Sequence, residues 1–176
     1  MPPMRTFNGF FSYAHIDAKA SPSLIEALTR KLETLVTVKL INAEFSIFYD
    51  ETRLHTGDRW DPTIDKALRQ SDILIVLFTP SWLQSDYCRK EYLAFEEVEG
   101  SYGGGGYVVP IRARPIGEQE QHLTSDQRLV HESLKDRQYF PMLVSDFLLL
   151  ATRTPGRKSS KKSVTILLVS SNGDVI

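Results

Sequence analysis

The run Ile73-Leu74-Ile75-Val76-Leu77-Phe78 is the longest apolar stretch of the chain, and it is apolar at even and odd positions alike. Strand side chains alternate between the two faces of a sheet, so a strand of this composition must be covered on both sides. Thr79-Pro80 ends it. Six residues are far too few to cross a bilayer. A parallel sheet with helices packed on each face is the architecture that meets the demand.

The flanking sequence alternates short apolar runs with amphipathic stretches. Phe7 to Tyr13 reads as a first strand, and Ser21-Pro22-Ser23 supplies a cap and a helix-start proline. Leu24, Leu28, Leu32, Leu35 and Val36 then recur at helical spacing. Phe45, Ile47 and Tyr49 alternate as a second strand, followed by a polar loop from Asp50 to Trp60. Asp61-Pro62 is a second cap-plus-proline start, with Ile64, Ala67 and Leu68 on the inner face of its helix. Tyr107 to Ile111 is another buried-strand candidate. Farther on, Thr124 to Lys135 is expected to be helical, Tyr139 to Val144 a last strand, and Arg112 to His122 a loop.

The segment Ser85-Asp-Tyr-Cys-Arg-Lys-Glu-Tyr-Leu-Ala-Phe-Glu-Glu-Val98 opens on an N-cap residue and places Cys88, Tyr92, Phe95 and Val98 along one helical face. Glu96 and Glu97 fall off that face, as carboxylates should. Glu91 lies on its flank, and the strand order turns that flank into the wall of a cleft at the carboxyl end of the sheet. A carboxylate there is either functional or a solvated residue complementing the helix dipole.

Composition narrows the classes. A chain of 176 residues, 41% hydrophobic and 24% charged, can bury one ordinary core, and a formal net charge of -1 offers no field for a polyanion. Nucleic acid and membrane surfaces are therefore not expected as partners. The single cysteine excludes an internal disulfide framework, and the opening residues lack the layout of a signal peptide, so a cytoplasmic location is expected. Residues 1–150 read as one domain. Residues 151–163 carry five Lys/Arg among Pro, Gly and Ser, which is linker composition, and 164–176 read as a strand and an Asn-Gly turn that could open a further module.

Three blocks follow successive strands: Phe10 to Asp17 (FFSYAHID), Tyr49 to Trp60 (YDETRLHTGDRW) and Ser85 to Glu91 (SDYCRKE). In this order and at these spacings they resemble the first box, the second box and the S-x-x-[WY]-C-x-x-E helix start of the Toll/interleukin receptor homology (TIR) domain. The family's third box, usually Phe-Trp, has only Tyr139-Phe140 in its place. The resemblance implies a flavodoxin-like α/β fold, three layers with a central parallel sheet of about five strands flanked by helices. It also implies one of two functions. Some TIR domains are adaptors that signal by self-association; others cleave the nicotinamide glycosidic bond of NAD+, with a glutamate at the position matched by Glu91.

On the enzymatic reading, NAD+ is the substrate, no further cofactor is needed, and Glu91 is catalytic. Phe11, Ser12, Tyr13, Ala14 and His15 form the loop that approaches the nucleotide in the family, although Phe11 and Tyr13 equally suit strand-end core positions. Trp60 and Tyr87 are candidate aromatic walls around a planar heterocycle; Trp60 could equally anchor a helix start. Asp50, Arg53, Gly57 and Asp58 belong to the second-box loop, which mediates assembly. The resemblance further implies a TIR–TIR homo-oligomer or filament, an activating sensor on this or another chain, and a role in bacterial immune or antiviral defence or as a toxin effector. The alternative is a non-enzymatic adaptor, or a mimic engaging host TIR domains through Glu51 to Arg59. Cys88 lies on the apolar stripe and reads as a small buried hydrophobe. His55, His122 and His131 share no ligand spacing, so no metal site is expected. The four glycines 103–106 lack the GK[ST] ending of a phosphate loop.

Overall fold

The computed structural model describes residues 5–40, 42–49, 62–101, 107–137 and 140–141. Its strands are β1 (Arg5–Ser12), β2 (Ala43–Phe48), β3 (Ile73–Phe78), β4 (Val108–Arg112) and β5 (Phe140–Pro141). All pair in parallel, in the order β2-β1-β3-β4-β5. The helices are α1 (His15–Ala20), α2 (Pro22–Thr37), α3 (Pro62–Arg69), α4 (Pro80–Gln84), α5 (Asp86–Ser101) and α6 (Ser125–Lys135).

The apolar run occupies the middle of this sheet, and its two faces serve two cores. Leu74, Val76 and Phe78 pack with Phe10, Leu68, Trp82, Leu83, Tyr92, Phe95 and Leu134 on the α3 to α6 side. Ile75 and Leu77 pack with Phe11, Leu24, Ile25, Leu28 and Ile47 on the α2 side. Each fully buried aliphatic side chain contributes about 1.5–3 kcal/mol by leaving water. The three-layer, flavodoxin-like arrangement follows from that double coverage.

Capping sets several boundaries. Ser85 Oγ accepts a bond from Cys88 N at 3.3 Å, as expected of an N-cap for α5. Thr124 and Gln127 exchange side-chain and backbone bonds at the start of α6, a capping box. Ser21 stands at the N-cap of α2 but makes no side-chain cap bond.

The sequence reading misplaced three short elements. His15–Ala20 and Pro80–Gln84 are helices, and Gly117–His122, expected to be loop, is a 3₁₀ turn. Elements of one or two turns are too short to establish a period. Thr79-Pro80 was legible only as the end of a strand, yet it is also a helix start, with Thr79 as N-cap and proline in the first turn. The expected last strand appears at Phe140–Pro141. The proposed linker, the C-terminal strand-turn segment and the glycine run lie outside the described residues. No described helix is long and apolar enough to cross a membrane.

Candidate active site

With the strand order 2-1-3-4-5, the connections leave β1 and β3 in opposite directions, and the crevice between their carboxyl ends is where ligands bind in open α/β sheets. β1 ends at Ser12, and α5 passes beside that end. Glu91, in the second turn of α5, is 0% exposed, and its Oε2 accepts a 2.6 Å hydrogen bond from Ser12 Oγ. Ser12 Oγ in turn accepts the indole Nε1–H of Trp82 at 2.9 Å. A chain of oriented donors thus runs from Trp82 through Ser12 and ends on the carboxylate.

Trp82 is itself fixed in place. Its ring meets Tyr92 edge-on at 6.2 Å and Phe78 at 5.8 Å. Its backbone N–H donates to Thr79 Oγ1 at 3.0 Å, and the Thr79 hydroxyl donates to buried Asp17 Oδ2 at 2.6 Å. Asp17 on α1, Thr79 after β3 and Trp82 on α4 therefore support the residues nearest Glu91. Their sequence signals were present: Asp17 closes the first box, and Thr79-Pro80 is a cap-plus-proline pair.

Burial corrects two expectations about Glu91. It is not a solvated complement to the helix dipole, and it does not line an open cleft; the fold covers it completely. Of the loop residues, Ser12 meets Glu91 directly. Ala14 is buried in the core on the Glu91 side of the sheet. Phe11 and Tyr13 belong to the core on the opposite face, in keeping with the strand-end reading. The Tyr13 ring stacks against half-buried His15 at 6.2 Å. The Tyr13 carbonyl accepts a 3.4 Å bond from Cys88 Sγ, tying the loop to α5. Cys88 is buried, as expected of a small hydrophobe. Tyr87 is half-buried, with Lys90 Nζ 5.8 Å above its ring, a cation–π arrangement. Trp60 and the assembly-loop residues Asp50, Arg53, Gly57 and Asp58 lie outside the described residues.

Comparison with known proteins agrees with this fold. The family model of the TIR domain matches residues 10–144. The chain belongs to the TIR domain family. It is 31% identical over 62 residues to the Brachypodium distachyon protein named "Probable 2′ cyclic ADP-D-ribose synthase BdTIR". That match takes in 35% of this chain and spans 28% of the plant protein's length. Among solved structures, it is similar to the TIR domains in the "activated Roq1 resistosome directly recognizing the pathogen effector XopQ". The TM-score is 0.50 and the identity 16%, with 73% of this chain and 70% of that one covered, a likeness of fold.

Proposed function

We propose that this chain is a TIR-type NAD+ glycohydrolase in which Glu91 is the catalytic carboxylate and self-association is the switch. The observation that carries the reading is the complete burial of Glu91 at the β1/β3 crevice, with Ser12 donating to it. Removing a carboxylate from water costs several kcal/mol unless it is compensated. Apolar packing would serve stability better at that position, so retention of the charge fits a catalytic use. Family membership and the name of the plant relative support the same reaction class.

The chemistry asks little beyond one oriented negative charge. In NAD+ the nicotinamide is a pyridinium, and the C1′–N1 bond breaks with its electron pair going to nitrogen. Neutral nicotinamide leaves without a general acid. The ribose becomes oxocarbenium-like, as in glycoside hydrolysis. Glu91 would hold the 2′ and 3′ hydroxyls and stabilise the positive charge developing at C1′. Water attack at C1′, with loss of a proton, gives ADP-ribose; attack by another group of the same molecule gives a cyclic product.

A carboxylate that the fold seals must be uncovered before it meets a ribose. Self-association supplies that step in this proposal, through the second-box loop of a neighbouring copy containing Asp50, Arg53, Gly57 and Asp58. A homo-oligomer, a sensor that triggers it, a cytoplasmic setting and an immune or toxin role belong to the same proposal.

Concentrated or artificially clustered protein incubated with NAD+ tests it, with nicotinamide followed by chromatography. Wild type should release nicotinamide, and Glu91→Gln and Glu91→Ala should lose about 10²–10³-fold or more of the rate. If clustered wild type releases none, or Glu91→Ala matches it, the enzymatic reading fails. The non-enzymatic adaptor reading then stands in its place.

A further inference from the structure

The 3₁₀ turn at Gly117–His122 and α6 bring Glu120, His131 and Glu132 together, one ligand atom from each lying within 4.8 Å of the others. His131 is 3% exposed, and its Nδ1 is buried without a hydrogen-bond partner. That nitrogen lies 3.7 Å from Glu120 Oε1, beyond hydrogen-bond reach. A buried polar atom in this condition has lost its water without gaining a partner. The other face of the imidazole is accounted for, since it stacks on Phe78 at 5.8 Å and 19°. Lys135 Nζ bonds Glu120 and, at 3.2 Å, Glu132. A cation thus already rests on the two carboxylates, but its donors are directed to them and none reaches His131 Nδ1.

We propose that His131 Nδ1 and the Glu120 and Glu132 carboxylates form a binding site for a divalent transition-metal ion of the zinc class. An imidazole with two carboxylates suits such an ion, with water completing a tetrahedron. Magnesium and calcium favour all-oxygen sets and would not use the histidine. Bonds of about 2.0–2.2 Å to a tetrahedral ion place neighbouring ligand atoms roughly 3.3–3.6 Å apart. The His131–Glu120 separation is already close to that, and exposed Glu132 can close the rest by changing rotamer. An open depression lined by Gly117, Glu118, Glu120, Gln121 and Arg128 adjoins the cluster at Glu120.

Histidine spacing alone could not reveal this site, because its ligands are one histidine and two carboxylates from two elements. The proposal departs from the expectation of no metal site. Lys135 is the internal competitor, and its exposed side chain can swing away when the ion enters.

The full chain titrated with Zn²⁺ and with Co²⁺ tests the assignment, using competition with a chromophoric chelator and the visible absorption of four-coordinate cobalt. Wild type should bind one ion, and Glu120→Gln, a solvent-accessible change that spares the core, should weaken binding about tenfold or more. His131→Gln should abolish the cobalt spectrum. Lys135→Ala should tighten binding several-fold, a gain that no generally damaging substitution would produce. His122→Ala should change nothing. Absence of saturable one-to-one binding by wild type overturns the proposal. So does binding that is insensitive to Glu120→Gln and Lys135→Ala, or binding that disappears with His122.

Discussion

The Ser12 hydroxyl has one proton to give and lone pairs to receive, and both are used inside the fold: it donates to Glu91 and accepts from Trp82. Ser12→Ala deletes both bonds, leaving the indole N–H and the carboxylate short of one partner each. A destabilisation of about 2–4 kcal/mol is expected, because a bond to a charged group and an abandoned buried donor are lost together. Glu91→Gln in the Ser12→Ala background should then cost less than it does alone, since the bond it weakens is already gone. Urea unfolding of the two single variants and the double variant measures this; strictly additive losses would mean that the two residues are not coupled. Glu91 was legible in the sequence because a charge on an apolar flank violates helical patterning. Ser12 was legible as a strand end. Their meeting was not, because it spans 79 positions and depends on Trp82, whose place is set in the tertiary fold by Phe78, Tyr92 and the Thr79–Asp17 pair.

At the scale of the element, α5 carries the site and also contains a local conflict. Glu96, Glu97 and Glu99 crowd its last two turns, where the helix dipole disfavours negative charge, and its last turn holds no basic residue. Arg137, just after α6, supplies the missing cation, bonding Glu99 Oε2 at 2.7 Å and Glu96 Oε1 at 3.1 Å. Tyr92 is drawn into this group, donating to Glu96 at 2.6 Å and pairing with Ser133 at 2.7 Å. Burial first, and then the bond to Glu96, push its phenol up to about 12. The sign follows from that rise: the neutral phenol favours the folded state, so the contribution is complete below the unfolded value near 10 and is lost as pH climbs from about 10 through 12. A rise of this size corresponds to at most about 2–3 kcal/mol. Tyr92→Phe keeps the ring but has nothing to ionise, so its stability should fall less than that of wild type across this window. Thermal unfolding from pH 8 to 12 checks this, and parallel curves would reject it. Periodicity made α2, α5 and α6 visible, whereas Arg137 looked like an ordinary residue beyond a helix end. Its partners lie 38 and 41 positions away, and sequence spacing says nothing about such pairs.

For the whole molecule, the two cores that follow from Ile73–Phe78 place the carboxyl ends of β1 and β3 side by side, and the fold then closes over the carboxylate at that junction. A single chain in this state cannot bring a ribose to Glu91. On the proposed reading, NAD+ cleavage therefore requires an event that opens the crevice, and a second copy of the chain is the agent the second-box loop would engage. Specific activity should then rise with protein concentration, since the competent species forms by association. An alanine substitution at Arg53 or Asp58, distant in sequence from Glu91, should suppress the rise, and urea unfolding of each variant separates loss of association from loss of the fold. Forced clustering on a scaffold should recover part of the lost rate if those residues act through association alone. Initial rates of nicotinamide release measured over a hundredfold range of protein concentration decide the matter. A specific activity that stays constant over that range would show that a single chain opens unaided, and the assembly switch would have to be abandoned even if Glu91 proved catalytic.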